Sequence, residues 1–93
     1  MAGETFGSVW DAIEDTPQEA ENMRLRARLM IELTARITEQ GWTQTEAAQR
    51  LGVTQPRISD LMRGKVQLFS LDALVNMIGA AGMHVEVTVS PAA

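Results

Sequence analysis

The stretch Thr43-Gln44-Thr45-Glu46-Ala47-Ala48-Gln49-Arg50-Leu51-Gly52-Val53-Thr54-Gln55-Pro56-Arg57-Ile58-Ser59-Asp60-Leu61 carries two helix starts separated by a tight turn. Thr43 and Glu46 stand three apart, the spacing at which a hydroxyl and a carboxylate cap each other's free backbone N–H groups. A short helix therefore opens at Gln44 and ends before Gly52, a residue that takes positive φ at no steric cost. Thr54 is the next N-cap. Pro56 sits in the first turn that follows, where its missing N–H has no intrahelical partner to lose. Ala48 is small where the two helices cross, and Val53, Ile58 and Leu61 pin the second helix against the first. That leaves Gln55, Pro56, Arg57, Ser59 and Asp60 outward on the N-terminal half of the second helix. Gly64 ends it.

Working outward, Thr16-Pro17-Gln18-Glu19 combines an N-cap, a proline at N1 and a capping-box glutamate, and starts a helix that runs to about Gln40 before Gly41. Met23, Ala27, Met30, Ile31, Thr34 and Ile37 form its expected core stripe, widened by Leu25, Leu29 and Leu33; this breadth exceeds one packing face and leaves room for a subunit contact. Ser70 caps a further helix from Leu71 to about Ala81, with Leu71, Leu74, Val75 and Ile78 expected inward and Gly82 as the stop. After Gly82 the apolar period changes to two: Met83, Val85, Val87 and Val89 alternate with His84, Glu86 and Thr88, which predicts a strand over 83–89. A lone strand must pair with its copy across a two-fold, with a partner's edge, or with the N-terminal segment; the two-fold follows most directly from dimer symmetry. At the other end, Phe6, Val9, Trp10 and Ile13 fall at the spacing of a short apolar helix face within an acidic segment. The expectation is a mainly all-α chain of about five helices in one domain: an arm over 1–15, a helical domain over 16–82 with its motif at 44–61, and a dimerisation strand over 83–89.

The formal charge is −4, but it is unevenly spread. Residues 1–23 hold six acids and no base, whereas Arg50 to Lys65 hold Arg50, Arg57, Arg63 and Lys65 against Asp60 alone. A local basic face of this kind is compatible with phosphate docking despite the overall sign. The chain has no cysteine and a single histidine, His84, so neither a transition-metal site nor a thiol nucleophile is expected. Ser59 and Ser70 have no base at a plausible spacing, and no glycine-rich loop follows a strand. An enzyme, a metal and a cofactor are therefore not expected. The apolar stretch from Leu71 to Val89 is interrupted by Asp72, Asn76, His84 and Glu86, which excludes a membrane span there; with no leader pattern and no cysteine, a cytoplasmic place is the expectation.

Two helices joined in this way form a helix-turn-helix, whose second helix enters the DNA major groove. The run Trp42 to Ala48, with Leu51-Gly52-Val53-Thr54-Gln55-Pro56-Arg57-Ile58-Ser59, Leu61 and Gly64, resembles the phage-repressor/Cro-like (XRE-type) family. The wider span from about Glu19 to Val87, including Leu68-Phe69-Ser70-Leu71-Asp72 and the terminal strand, is similar to HigA-like antitoxins and related regulators. The resemblance implies a lambda-repressor-like bundle and a homodimer on a double-stranded DNA operator. In many members it also implies neutralisation of a RelE/ParE-like toxin. Carried over by position, it implies base contacts from Gln55, Pro56, Arg57 and Ser59, and phosphate contacts from Gln44, Thr54, Arg63 and Lys65. A glutamine such as Gln55 can bond bidentately to adenine; Arg57 has a choice of guanine or phosphate. Pro56 and Arg57 depart from the small residues that many relatives carry there. Asp60 can select against bases, read a cytosine N4, or hold Arg57 or Arg63, the last being favoured.

The leading expectation is a dimeric regulator reading a palindromic site, acting as an autorepressing antitoxin. In that case the acidic N-terminal segment offers a face to a basic toxin, or else packs on its own domain. The alternatives are a stand-alone repressor without a toxin and a protein–protein adaptor that has lost DNA.

Overall fold

The computed structural model describes residues 16–92, so the predicted N-terminal helix around Phe6, Val9, Trp10 and Ile13 lies outside the described residues. Among these residues there are four α-helices and one 3-10 turn: α1 (Pro17–Gln40), α2 (Gln44–Leu51), α3 (Gln55–Met62), the turn at Val66–Leu68, and α4 (Leu71–Ala80). Each helix begins at the hydroxyl residue the sequence places there. Thr16 accepts from the Glu19 N–H at 3.0 Å, Thr54 from the Arg57 N–H at 3.3 Å, and Ser70 from the Ala73 N–H at 3.1 Å. At Thr43 the capping box is complete, with Glu46 N–H donating to the hydroxyl at 3.1 Å and Thr43 N–H donating to the Glu46 carboxylate at 2.9 Å. At Thr16 only the hydroxyl half of the expected box forms.

α1 is the backbone of the bundle. It lies along α4, while α2 packs across α3 and also touches α4. The core is drawn from every element: Leu29, Met30, Leu33 and Ile37 of α1, Ala47, Ala48 and Leu51 of α2, Ile58 and Leu61 of α3, Phe69, and Leu74, Met77, Ile78 and Ala81 at the C-terminal end. A fully buried leucine or isoleucine contributes roughly 1.5–3 kcal/mol through removal of apolar area from water. Leu33 at the centre of α1, with no exposed surface, belongs to that class.

The α1 stripe is shifted from its expected position. Leu29, Met30, Leu33 and Ile37 are buried, whereas Ile31 is 63% exposed and Leu25 is also exposed. With 3.6 residues per turn, the many apolar residues of α1 span two faces, and only one of them can meet α4. The other face, with Ala27, Ile31 and Thr34, borders an open apolar groove with Met62, Gly64 and Val66. On α4, Met77 takes the buried place expected of Val75, which is exposed.

The strand expected over 83–89 does not form in this chain. Within the segment the His84 and Glu86 side chains, two residues apart, meet at 3.2 Å, which places both on the same side of the chain. Met83 and Val85 pack against the core, while Val87 and Val89 are exposed. No backbone–backbone hydrogen bond reaches residues 84–90 among the described residues. A ladder needs a second edge, and the described part of one chain provides none beside this segment.

Candidate nucleic-acid interface

The turn between α2 and α3 is built from Gly52, whose φ of 70° is left-handed, followed by Val53 and the N-cap Thr54. The Val53 N–H donates to the Ala48 carbonyl at 3.0 Å, closing the turn. Ala48, Ile58 and Leu61 are buried and Val53 is half-buried, so the residues expected to hold the two helices together do so. Their burial orients α3 with Gln55 and Pro56 exposed and Ser59 partly exposed.

The remaining expected contact residues flank that face. Gln44 begins α2 and is exposed, Thr54 caps α3, and Arg63 and Lys65 follow the end of α3, both exposed. Residues four apart on a helix lie on one side, which places Gln55 and Ser59 together. Thr45, unremarked in the sequence, reaches toward Gln55: its hydroxyl donates weakly to the Gln55 side-chain carbonyl at 3.5 Å. That contact leaves the amide N–H₂ of Gln55 available.

Two charged residues behave otherwise than expected. Asp60 does not hold Arg57 or Arg63; it pairs with Lys65, with Oδ1 and Nζ 3.5 Å apart. The chain turns back after Gly64, and the Lys65 N–H donates to the Asp60 carbonyl at 3.1 Å, which brings the two side chains to the same place. Arg57 lies over the Phe69 ring, 4.3 Å from its centroid, and donates through Nη1 to the Leu68 carbonyl at 2.8 Å. Arg50 stacks on Trp42 at 5.0 Å while standing in the last turn of α2, where a cation also meets the negative end of the helix dipole.

Arg26, to which the sequence assigns no part, reaches across from α1 to the carbonyls of Val66 at 3.1 Å and Phe69 at 3.4 Å. Its signal was a cation inside an apolar helical pattern, between Met23 and Met30, without an acid four residues away to engage it. The neighbouring Arg24 and Arg28 form exposed pairs with Glu21 and Glu32. Among the described residues no group of three or more His, Cys, Asp or Glu is gathered as a metal site.

A short capped helix, locked by a glycine turn onto a second helix and presenting its N-terminal half to solvent, defines the helix-turn-helix class. A family profile described as a helix-turn-helix domain matches residues 12–90. The chain is also similar to a solved structure described as "Putative XRE Family Transcriptional Regulator", with 32% identity and a TM-score of 0.73, covering 80% of this chain and 83% of that one. A search of curated proteins gives no match. The chain belongs to the XRE family of helix-turn-helix domains, which is not a family of enzymes. Among the described residues no helix is long and apolar enough to cross a membrane.

Proposed function

We propose that this protein is a sequence-specific double-stranded DNA-binding transcriptional regulator in which α3 enters the major groove. The single observation that carries the reading is the exposed N-terminal half of α3, with Gln55 and Ser59 on one side and Thr54 at its cap. Family membership supports the same conclusion. Gln55 offers an amide for adenine, Ser59 a hydroxyl for a base edge, and Pro56 an apolar surface. Gln44, the Thr54 cap, Arg63 and Lys65 border the same face and are the phosphate contacts of this reading.

The regulator acts as a homodimer. Support comes from the segment at 84–90, which makes no backbone–backbone hydrogen bond among the described residues, and from its exposed Val87 and Val89. Two such segments paired antiparallel around a two-fold would cover Val87 and Val89 in part and satisfy the facing edge of each. A two-fold dimer would set its recognition helices about 34 Å apart, one turn of DNA, and so read a palindrome. The specific role is that of an autorepressing antitoxin, supported by the acidic composition of residues 1–15, which suits a basic RelE/ParE-like toxin.

The test is selection of bound fragments from the source genome, followed by titration of the best fragment at several salt concentrations. A palindromic site bound tightly, with affinity falling as salt rises, is expected. Genes beside that site would include a toxin under the antitoxin role and none under a stand-alone repressor. A folded protein that enriches no fragment would favour an adaptor without DNA.

A further inference from the structure

Resting on the reading that α3 contacts DNA, we propose that Arg57 is a positioning residue that sets the rotation of the recognition helix, and that the surface reading bases is built on Gln55 and Ser59. Successive helical residues are turned by about 100°, so Arg57 lies about 200° around α3 from Gln55, on the opposite side. It adjoins the buried Leu61 rather than the exposed face. Its guanidinium is engaged twice, by the Phe69 ring and by the Leu68 carbonyl.

The partner of Arg57 is itself held. Phe69 is almost completely buried, and Arg26 fastens the carbonyls of Val66 and Phe69 from the side of α1. Arg26 is in turn oriented by Asn22, whose side-chain oxygen accepts from its Nε at 2.6 Å. The loop between α3 and α4 is thus clasped by one arginine from the long helix and one from the recognition helix. Through that loop α1 and α3 are held in a fixed relation, beyond the apolar packing of Ile58 and Leu61. An eight-residue helix has little length over which to define its own orientation, and its first turn is the part that must meet base edges. An arginine held by a ring on its face and a carbonyl at Nη1 also restricts rotation where a single apolar contact would allow it.

The experiment measures binding of the full-length protein to its selected operator and to a panel of duplexes, each altered at one base pair. Wild type, Arg57→Ala, Arg57→Lys, Phe69→Leu and Gln55→Ala are compared at a temperature where circular dichroism shows each to be folded. Arg57→Ala is expected to weaken binding about tenfold across the whole panel, the scale of one lost charge-assisted hydrogen bond, while keeping the order of base preference. Phe69→Leu, which retains burial and removes the ring face, is expected to do the same. Gln55→Ala is expected to flatten preference at one or two positions. Loss of preference at a single base pair in Arg57→Ala would make Arg57 a direct reader and overturn the proposal. Unchanged affinity in the folded Arg57 and Phe69 variants, or full recovery with Arg57→Lys, would overturn it as well, the first leaving a purely structural role and the second a charge role. A wild-type protein indifferent to every change in the panel would instead remove the DNA-reading function on which the proposal rests.

Discussion

Asp60 shows how a single residue's meaning depends on where the chain goes next. On helical spacing alone it is an acid close to the DNA-facing side of α3. In the folded chain it is one half of a pair with Lys65, and its side chain is only 26% exposed. It therefore restrains the cation best placed to reach a phosphate after the helix. Asp60→Asn is expected to change folding stability by no more than about 0.5 kcal/mol, because a partly solvated ion pair contributes little. Binding to duplexes of any sequence should strengthen, and the salt dependence should steepen by about one released counterion as Lys65 becomes free. Titration of a non-operator duplex at several salt concentrations measures this; an unchanged slope would mean that Lys65 makes no phosphate contact. An unpaired acid at this place would suit an adaptor that avoids DNA, and the pairing of Asp60 with Lys65 weakens that case.

The elements were legible because each helix start is written locally. Thr16, Thr43, Thr54 and Ser70 all cap an N–H three residues on, and that signal needs no knowledge of the rest of the chain. The faces were less legible. α1 is long and apolar on more than one side, so periodicity alone did not separate Leu33, which is buried, from Ile31, which is not. The contacts of Arg26 and Arg57 were hidden for a related reason: their acceptors are carbonyls of the 65–70 loop, whose path is a tertiary property. The Gly52 turn, by contrast, was readable and is testable by itself. A Cβ built there meets nothing within 4 Å, so Gly52→Ala is opposed by backbone strain alone. The cost is expected at about 1–2 kcal/mol in denaturant unfolding, the penalty of left-handed φ for an L-residue. A much larger loss would point to a closely packed turn instead.

At the scale of the molecule, the sequence pattern over 83–89 described a strand, and the described chain supplies only one edge of it. Alternation identifies the faces of a strand but says nothing about what lies beside it. Removal of residues 86–93 spares Met83 and Val85, which pack on the core, and takes away the exposed Val87 and Val89. The truncated protein is expected to keep its helical circular dichroism, to sediment as a monomer, and to bind the operator far more weakly. A truncated protein that remains a dimer would place the subunit contact elsewhere, and the groove beside Ile31 and Met62 would then be the surface to examine.

The open edge at 84–90 also has a consequence for dosage. If two copies must meet before either can grip both halves of a site, occupancy at low expression rises with the square of the amount of protein rather than in proportion to it. Halving the cellular supply would then cut occupancy about fourfold while most chains are monomers, by simple mass action. A repressor of its own gene built in this way would release transcription sharply once supply drops, and the steepness would come from the last few residues of the chain rather than from the helix that touches DNA.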